Sequence, residues 1–140
     1  MKLYRVTYVS ESMLPKNPVA FANNIQNILR WSRSWNAANE TTGALMCSNG
    51  RFAQSIEGPA SVIKATFGHI SLDRRHKNLQ LLDYGAIRER VFVNWSMAYT
   101  AGTNEPHMSL TSLDDTFNLP DSRAILAMLR HLVLPDVAMS

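Results

Sequence analysis

At 140 residues, with 46% hydrophobic and 18% charged residues, the chain has the size and composition of one globular domain, which excludes a disordered or fibrous protein. The net charge of +3 is unevenly spread: residues 1–102 carry 12 Lys and Arg against 6 Asp and Glu, and residues 103–140 carry 2 against 5. A basic body with an acidic tail suits an anionic ligand or nucleic acid on the body, and equally a tail packed on that body. Cys47 is the only cysteine, which rules out an internal disulfide and fits a reducing, cytoplasmic setting. There is no signal-peptide pattern, no apolar run of membrane-spanning length, and no ligand spacing among His69, His76, His107 and His131, so neither a membrane protein nor a metal site is expected.

In chain order, Leu3–Val9 alternates as a strand, with Tyr4, Val6 and Tyr8 on one face. Pro15 and Pro18 precede a helix over about 18–34, whose apolar stripe runs through Phe21/Ala22, Ile25 and Ile28/Leu29. Asn36 falls just past that helix. Thr41–Ser48 is the next strand, and Asn49-Gly50 turns it into Arg51–Ile56 as a hairpin. Gly58-Pro59 opens a second helix with the stripe Ile63, Phe67, Ile70, ending near Asp73–His76. Leu79–Arg88 and Trp95–Thr100 read as two more strands. Beyond Gly102, Leu110–Phe117 reads as a short helix, and Asp121 caps a last helix with the stripe Ile125, Met128/Leu129, Leu132/Val133, ending at Pro135. The order β-α-β-β-α-β plus one strand predicts an α+β, ferredoxin-like sheet with two helices on one face and a C-terminal helical tail. The expected organisation is a domain over 1–102 and a helical extension over 103–140 packing on it.

No Gly-x-Gly-x-x-Gly, P-loop or Gly-x-Ser-x-Gly motif occurs, so a Rossmann nucleotide site or a serine hydrolase has no support. The informative feature is Gln54, which shares a strand face with Phe52 and Ile56. A buried amide without partners costs roughly 1–3 kcal/mol, so something polar must meet it. That partner is either a neighbouring tyrosine and backbone, or a ligand. Tyr8, Asn36, Trp95 and Met97 are open in the same way, each fitting an ordinary core or capping role as well as a site. Arg74–Lys77 forms a cationic run that suits a helix C-terminus without any ligand.

Taken together, Tyr8, Asn36 with Thr-Thr-Gly-Ala-Leu (41–45), Gln54 with Ile-Glu-Gly (56–58), Asp-Arg-Arg-His (73–76) and Asn-Trp-Ser-Met (94–97) resemble the BLUF domain, a blue-light sensor using FAD. The resemblance runs in order over residues 2–101, and the length and helical tail are similar to the short, stand-alone members. It implies that the isoalloxazine ring lies between the two helices, sandwiched by Ile28 and Ile70. Asn36 would hydrogen-bond its polar edge, and Gln54 would link it to Tyr8. Arg75 and His76 would lie near the flavin and its ribityl-phosphate side. Light would draw an electron from Tyr8 to the flavin, a proton would follow through Gln54, and recombination would leave Gln54 rearranged with a stronger bond to the flavin C4 carbonyl and a red-shifted absorption. Trp95 and Met97 match the pair that carries the signal outward. FMN and riboflavin are substitutes the family accepts. Trp35 stands where many relatives have a smaller polar residue or histidine, a departure that bears on polar contacts from that side and on dark recovery.

The resemblance therefore implies a sensor, not an enzyme, that signals to a separate partner protein. Exposed sheet edges and the amphipathic tail are compatible with a homodimer, and no nucleic-acid or membrane contact is expected. The alternatives are a cofactor-free ferredoxin-like interaction module and an acylphosphatase-like enzyme using Arg74–His76. Intact Tyr8, Asn36 and Gln54 speak against the first, and the lack of a Gly-rich anion loop speaks against the second.

Overall fold

A computed structural model describes residues 2–93, 96–100 and 122–133 of the chain. The elements are β1 (Leu3–Ser12), α1 (Pro18–Ala38), β2 (Thr42–Ser48), β3 (Arg51–Pro59), α2 (Ala60–Ser71), β4 (His76–Ile87), β5 (Ala98–Thr100) and α3 (Ser122–Val133). They build the expected ferredoxin-like sheet, in the order β4-β1-β3-β2-β5, with β5 added parallel to β2. The segments read as Leu110–Phe117, the Asp121 cap, Trp95 and Pro135 lie outside the described residues.

Local chemistry explains the elements. Asn17 caps α1 by accepting from the Val19 and Ala20 amides at 2.9 and 3.1 Å, with Pro18 in the first turn, where its missing N–H is no loss. The hairpin between β2 and β3 turns on Asn49 and Gly50, with φ of 52° and 76°, the positive pair that a type I′ turn needs. At Gly43 an added Cβ would run into the Ser55 carbonyl, so glycine there lets β2 lie close on β3.

Several boundaries differ from the sequence reading, and those at α1, α2 and β4 bear on the site. Helix α1 continues to Ala38, because Ala37 and Ala38 favour helix and the C-cap is Asn39; Asn36 therefore sits within the last turn rather than beyond it. Helix α2 ends at Ser71, so Arg75 and His76 are not a helix C-terminus, and His76 opens β4. Strand β4 departs from simple alternation because its register on β1 shifts twice, between Thr7 and Tyr8 and between Val9 and Glu11. The extra residues on the β4 side are bulges, which hide a strand from a period-2 reading.

Side chains alternate between two layers. Val6, Leu45, Cys47, Phe52 and Ile56 face α1 and α2, where Ile25, Leu29 and Ile63 complete one core cluster. Val9, Ala44, Met46 and Ala53 face the other way, covered by Phe92 and by Ile125, Met128 and Leu129 of α3.

Candidate functional site

Strands β1 and β3 are the central pair, and their register sets Tyr8 directly opposite Gln54. Both side chains rise into the layer beneath the helices and are buried, at 4% and 5% exposure. The Tyr8 hydroxyl donates to Gln54 Oε1 at 2.6 Å. Burial, with a smaller contribution from the Asp73 charge, pushes the Tyr8 phenol well above its ordinary value, so it stays protonated. Gln54 Nε2 donates to Met97 Sδ at 3.5 Å. A thioether is a weak acceptor, so this amide nitrogen retains capacity for a stronger one.

Above this pair lies a cavity of about 240 Å³ between α1 and α2. Its lining brings together Tyr8, Ile28, Gln54, Ile70, Arg75 and His76, six of the residues singled out from sequence. Ile28 of α1 and Ile70 of α2 supply aliphatic walls from the two helices. His76 is held from both sides, with Nε2 2.7 Å from the Ile70 carbonyl and Nδ1 2.7 Å from Ser10 Oγ. A carbonyl can only accept, so Nε2 carries a proton and donates. The ring stands edge-on to Tyr8, with centroids 5.9 Å apart. Arg75 is chelated by Asp73, with its Nη2 2.6 Å from Oδ2 and its Nε 2.9 Å from Oδ1. Burial raises the Asp73 carboxyl, but the hydrogen bonds and charge of Arg75, helped by His76, outweigh it and hold the group below its ordinary value.

Asn36 and Met97 are placed differently. Asn36 is buried one turn beyond the cavity, donating through Nδ2 to the Ser96 carbonyl at 2.7 Å, and it borders a shallower depression with Glu40 and Arg90. Met97 precedes β5, is 2% exposed, and reaches the site only through its sulfur on Gln54. The Met97 carbonyl accepts from Arg33 Nε at 3.0 Å, so α1 holds segment 96–97 at two consecutive carbonyls. Trp35 packs its indole on Trp31 and donates from Nε1 to Thr66 Oγ1 at 2.8 Å.

The cavity lining adds residues that the sequence reading did not select. Ser32 lies midway between Ile28 and Asn36 at steps of four, so helical spacing alone could have found it. Leu45 and Phe52 follow from strand register around Gln54. Trp31 and His69 meet only because α1 and α2 sit side by side, which no local signal records.

Comparisons with known proteins identify the fold and the family. The photoactivated adenylate cyclase subunit beta of Euglena gracilis is 27% identical over 117 residues, covering 83% of this chain and 13% of that protein. The chain thus spans little more than a tenth of the length of such curated relatives. Among solved structures, the BlrB BLUF protein in its dark state is 31% identical with a TM-score of 0.74, covering 94% of both chains. The ground state of BlsA gives a TM-score of 0.77 at 26% identity, over 93% of this chain and 87% of that one. The family model for sensors of blue light using FAD matches residues 3–98, and the chain belongs to this BLUF family.

Proposed function

We propose that this chain is a blue-light photoreceptor that holds FAD non-covalently in the cavity over Tyr8 and Gln54 and signals by rearranging their hydrogen bonds. The observation that carries the reading is a buried, protonated phenol donating to a glutamine whose amide nitrogen, among the described residues, meets only a thioether, at the floor of a slot walled by Ile28 and Ile70. The lining fits a flat heterocycle with a polar edge, with aliphatic side chains for its faces and an amide donor for a carbonyl. Bound flavin would supply blue-light absorption and, once excited, an oxidant.

The chain's own residues supply the rest. Tyr8 is an oxidisable donor whose proton already points along a short bond to Gln54 Oε1. Gln54 can pass that proton and then present the opposite donor and acceptor pattern by turning or tautomerising, without backbone movement. Ile28 and Ile70 exclude water from the faces of the ring. Arg75 and His76 would lie along the ribityl side, oriented by Asp73, Ser10 and the Ile70 carbonyl, and Asn36 would set the polar edge once its amide leaves the Ser96 carbonyl.

Output would run from Gln54 through Met97 to β5. Ala98 at the start of β5 packs in the same cluster as Ile125 and Leu129 of α3, so the route reaches the far face of the sheet. A rearranged hydrogen bond is worth about 0.5–1.5 kcal/mol net, which shifts a two-state equilibrium tenfold or less, whereas a 1:99 to 99:1 switch needs roughly 5.5 kcal/mol. The response is therefore modest or amplified by a separate partner protein, and the exposed sheet edges are compatible with a homodimer. The chain itself acts as a sensor rather than an enzyme.

Gln54→Leu tests the reading: it should retain flavin and lose the light-induced red shift. Tyr8→Phe should behave alike, since it deletes the oxidisable hydroxyl and keeps the shape. A normal shift in Gln54→Leu removes Gln54 from the mechanism.

A further inference from the structure

Pockets that enclose a whole drug-sized ligand measure roughly 300–1,000 Å³. At about 240 Å³, the cavity falls below that range. A dinucleotide seated by its ring system between Ile28 and Ile70 would therefore leave part of itself outside. Of the described residues lining the cavity, only Trp31 and His69 are exposed, and Trp31 is 45% exposed. Yet its indole is held. It stacks on Trp35 with an interplanar angle of 8° and centroids 5.6 Å apart, and His69 stands edge-on to it at 6.2 Å and to Trp35 at 5.6 Å. Trp35 is in turn tied to Thr66 by its 2.8 Å hydrogen bond.

We infer that Trp31 is a stacking platform for the adenine ring of FAD and gives this chain a preference for FAD over FMN and riboflavin; the inference rests on the flavin reading above. An exposed aromatic surface that is already ordered loses little rotamer freedom on binding, so its stacking energy is largely retained. A purine offers the flat π-face that such a surface takes, whatever its hydrogen-bonding edge. The cavity's guanidinium points to the same ligand: Arg75 is neutralised by Asp73, so the terminal phosphate of FMN finds a weaker anchor there than the base finds at Trp31.

Titration of the flavin-free chain with FAD, FMN and riboflavin, followed by flavin fluorescence, tests this. FAD is expected to bind about tenfold or more tightly than FMN, the range that one base–aromatic stack supports. Trp31→Ala should bring FAD down to the FMN value, and Trp31→Phe should keep most of the preference because it keeps a π-face. Equal binding of FAD and FMN by the unaltered chain would overturn the platform, as would a Trp31→Ala variant that weakens all three flavins alike, since Trp31 would then be only a wall. Failure to bind any of the three would overturn the flavin reading together with the platform, an outcome distinct from the others.

Discussion

The two faces of the sheet are made by the same strands, yet they treat their polar residues in opposite ways. On the α3 face, Glu57 is wholly buried and fully engaged. Its Oε2 takes Arg5 at 2.6 and 2.9 Å, and its Oε1 takes the Val91 and Phe92 amides, each at 2.9 Å. Thr7 and Ser55 pair at 3.1 Å beside it, and Ile125, Leu129 and Phe92 fill the remaining space. On the α1–α2 face, the next pair along the same strands, Tyr8 and Gln54, sits under a void with a donor aimed at sulfur. A structural polar group is surrounded until its bonding capacity is used. A group that must meet a ligand keeps capacity in reserve, with room beside it.

The difference can be broken most severely at Glu57. Glu57→Ala strands Arg5 and two backbone amides, and loss of one member of a buried ion pair costs about 3–5 kcal/mol. Chemical denaturation should show that loss, and the loop ahead of Met97, tied down by Glu57 through Val91 and Phe92, should lose protection in hydrogen exchange. Packing sharpens the contrast at a smaller scale. Leu129→Ala on the filled face should cost about 2–5 kcal/mol. Ile28→Ala on the hollow face removes a half-buried side chain, and about 1 kcal/mol is expected there, with the larger effect falling on flavin affinity. Equal stability losses at the two sites would mean that the cavity is packed as a core rather than held open.

The smallest effect concerns pH. Asp73 is held below its ordinary value of 3.8, so its contribution is complete above about that pH and is lost as the pH falls below it. Acid unfolding of the chain, followed by circular dichroism, should show this step, and Asp73→Asn should remove it.

Much of this was legible in the sequence, for identifiable reasons. Period-2 alternation at Tyr4, Val6 and Tyr8 and the Asn49-Gly50 turn predict the central strands, and their register then dictates which residues oppose each other. Helical spacing predicts Ile28 and Ile70 as facing stripes. The start of β4 was hidden by its bulges, and the end of α1 by two alanines that carry the helix past Asn36. The Trp31–Trp35–His69 cluster was illegible because it depends on the contact between two helices, and the completeness of Glu57's shell because half of it comes from a loop more than thirty residues away.

The most direct measurement is the absorption spectrum of the purified chain in darkness and again under blue light. A flavin band that shifts to the red on illumination and returns in darkness is the expected result, since Tyr8 and Gln54 are already bonded at the cavity floor. A flavin band that stays in place under blue light would contradict the switch, leaving a slot that holds the cofactor without reading it.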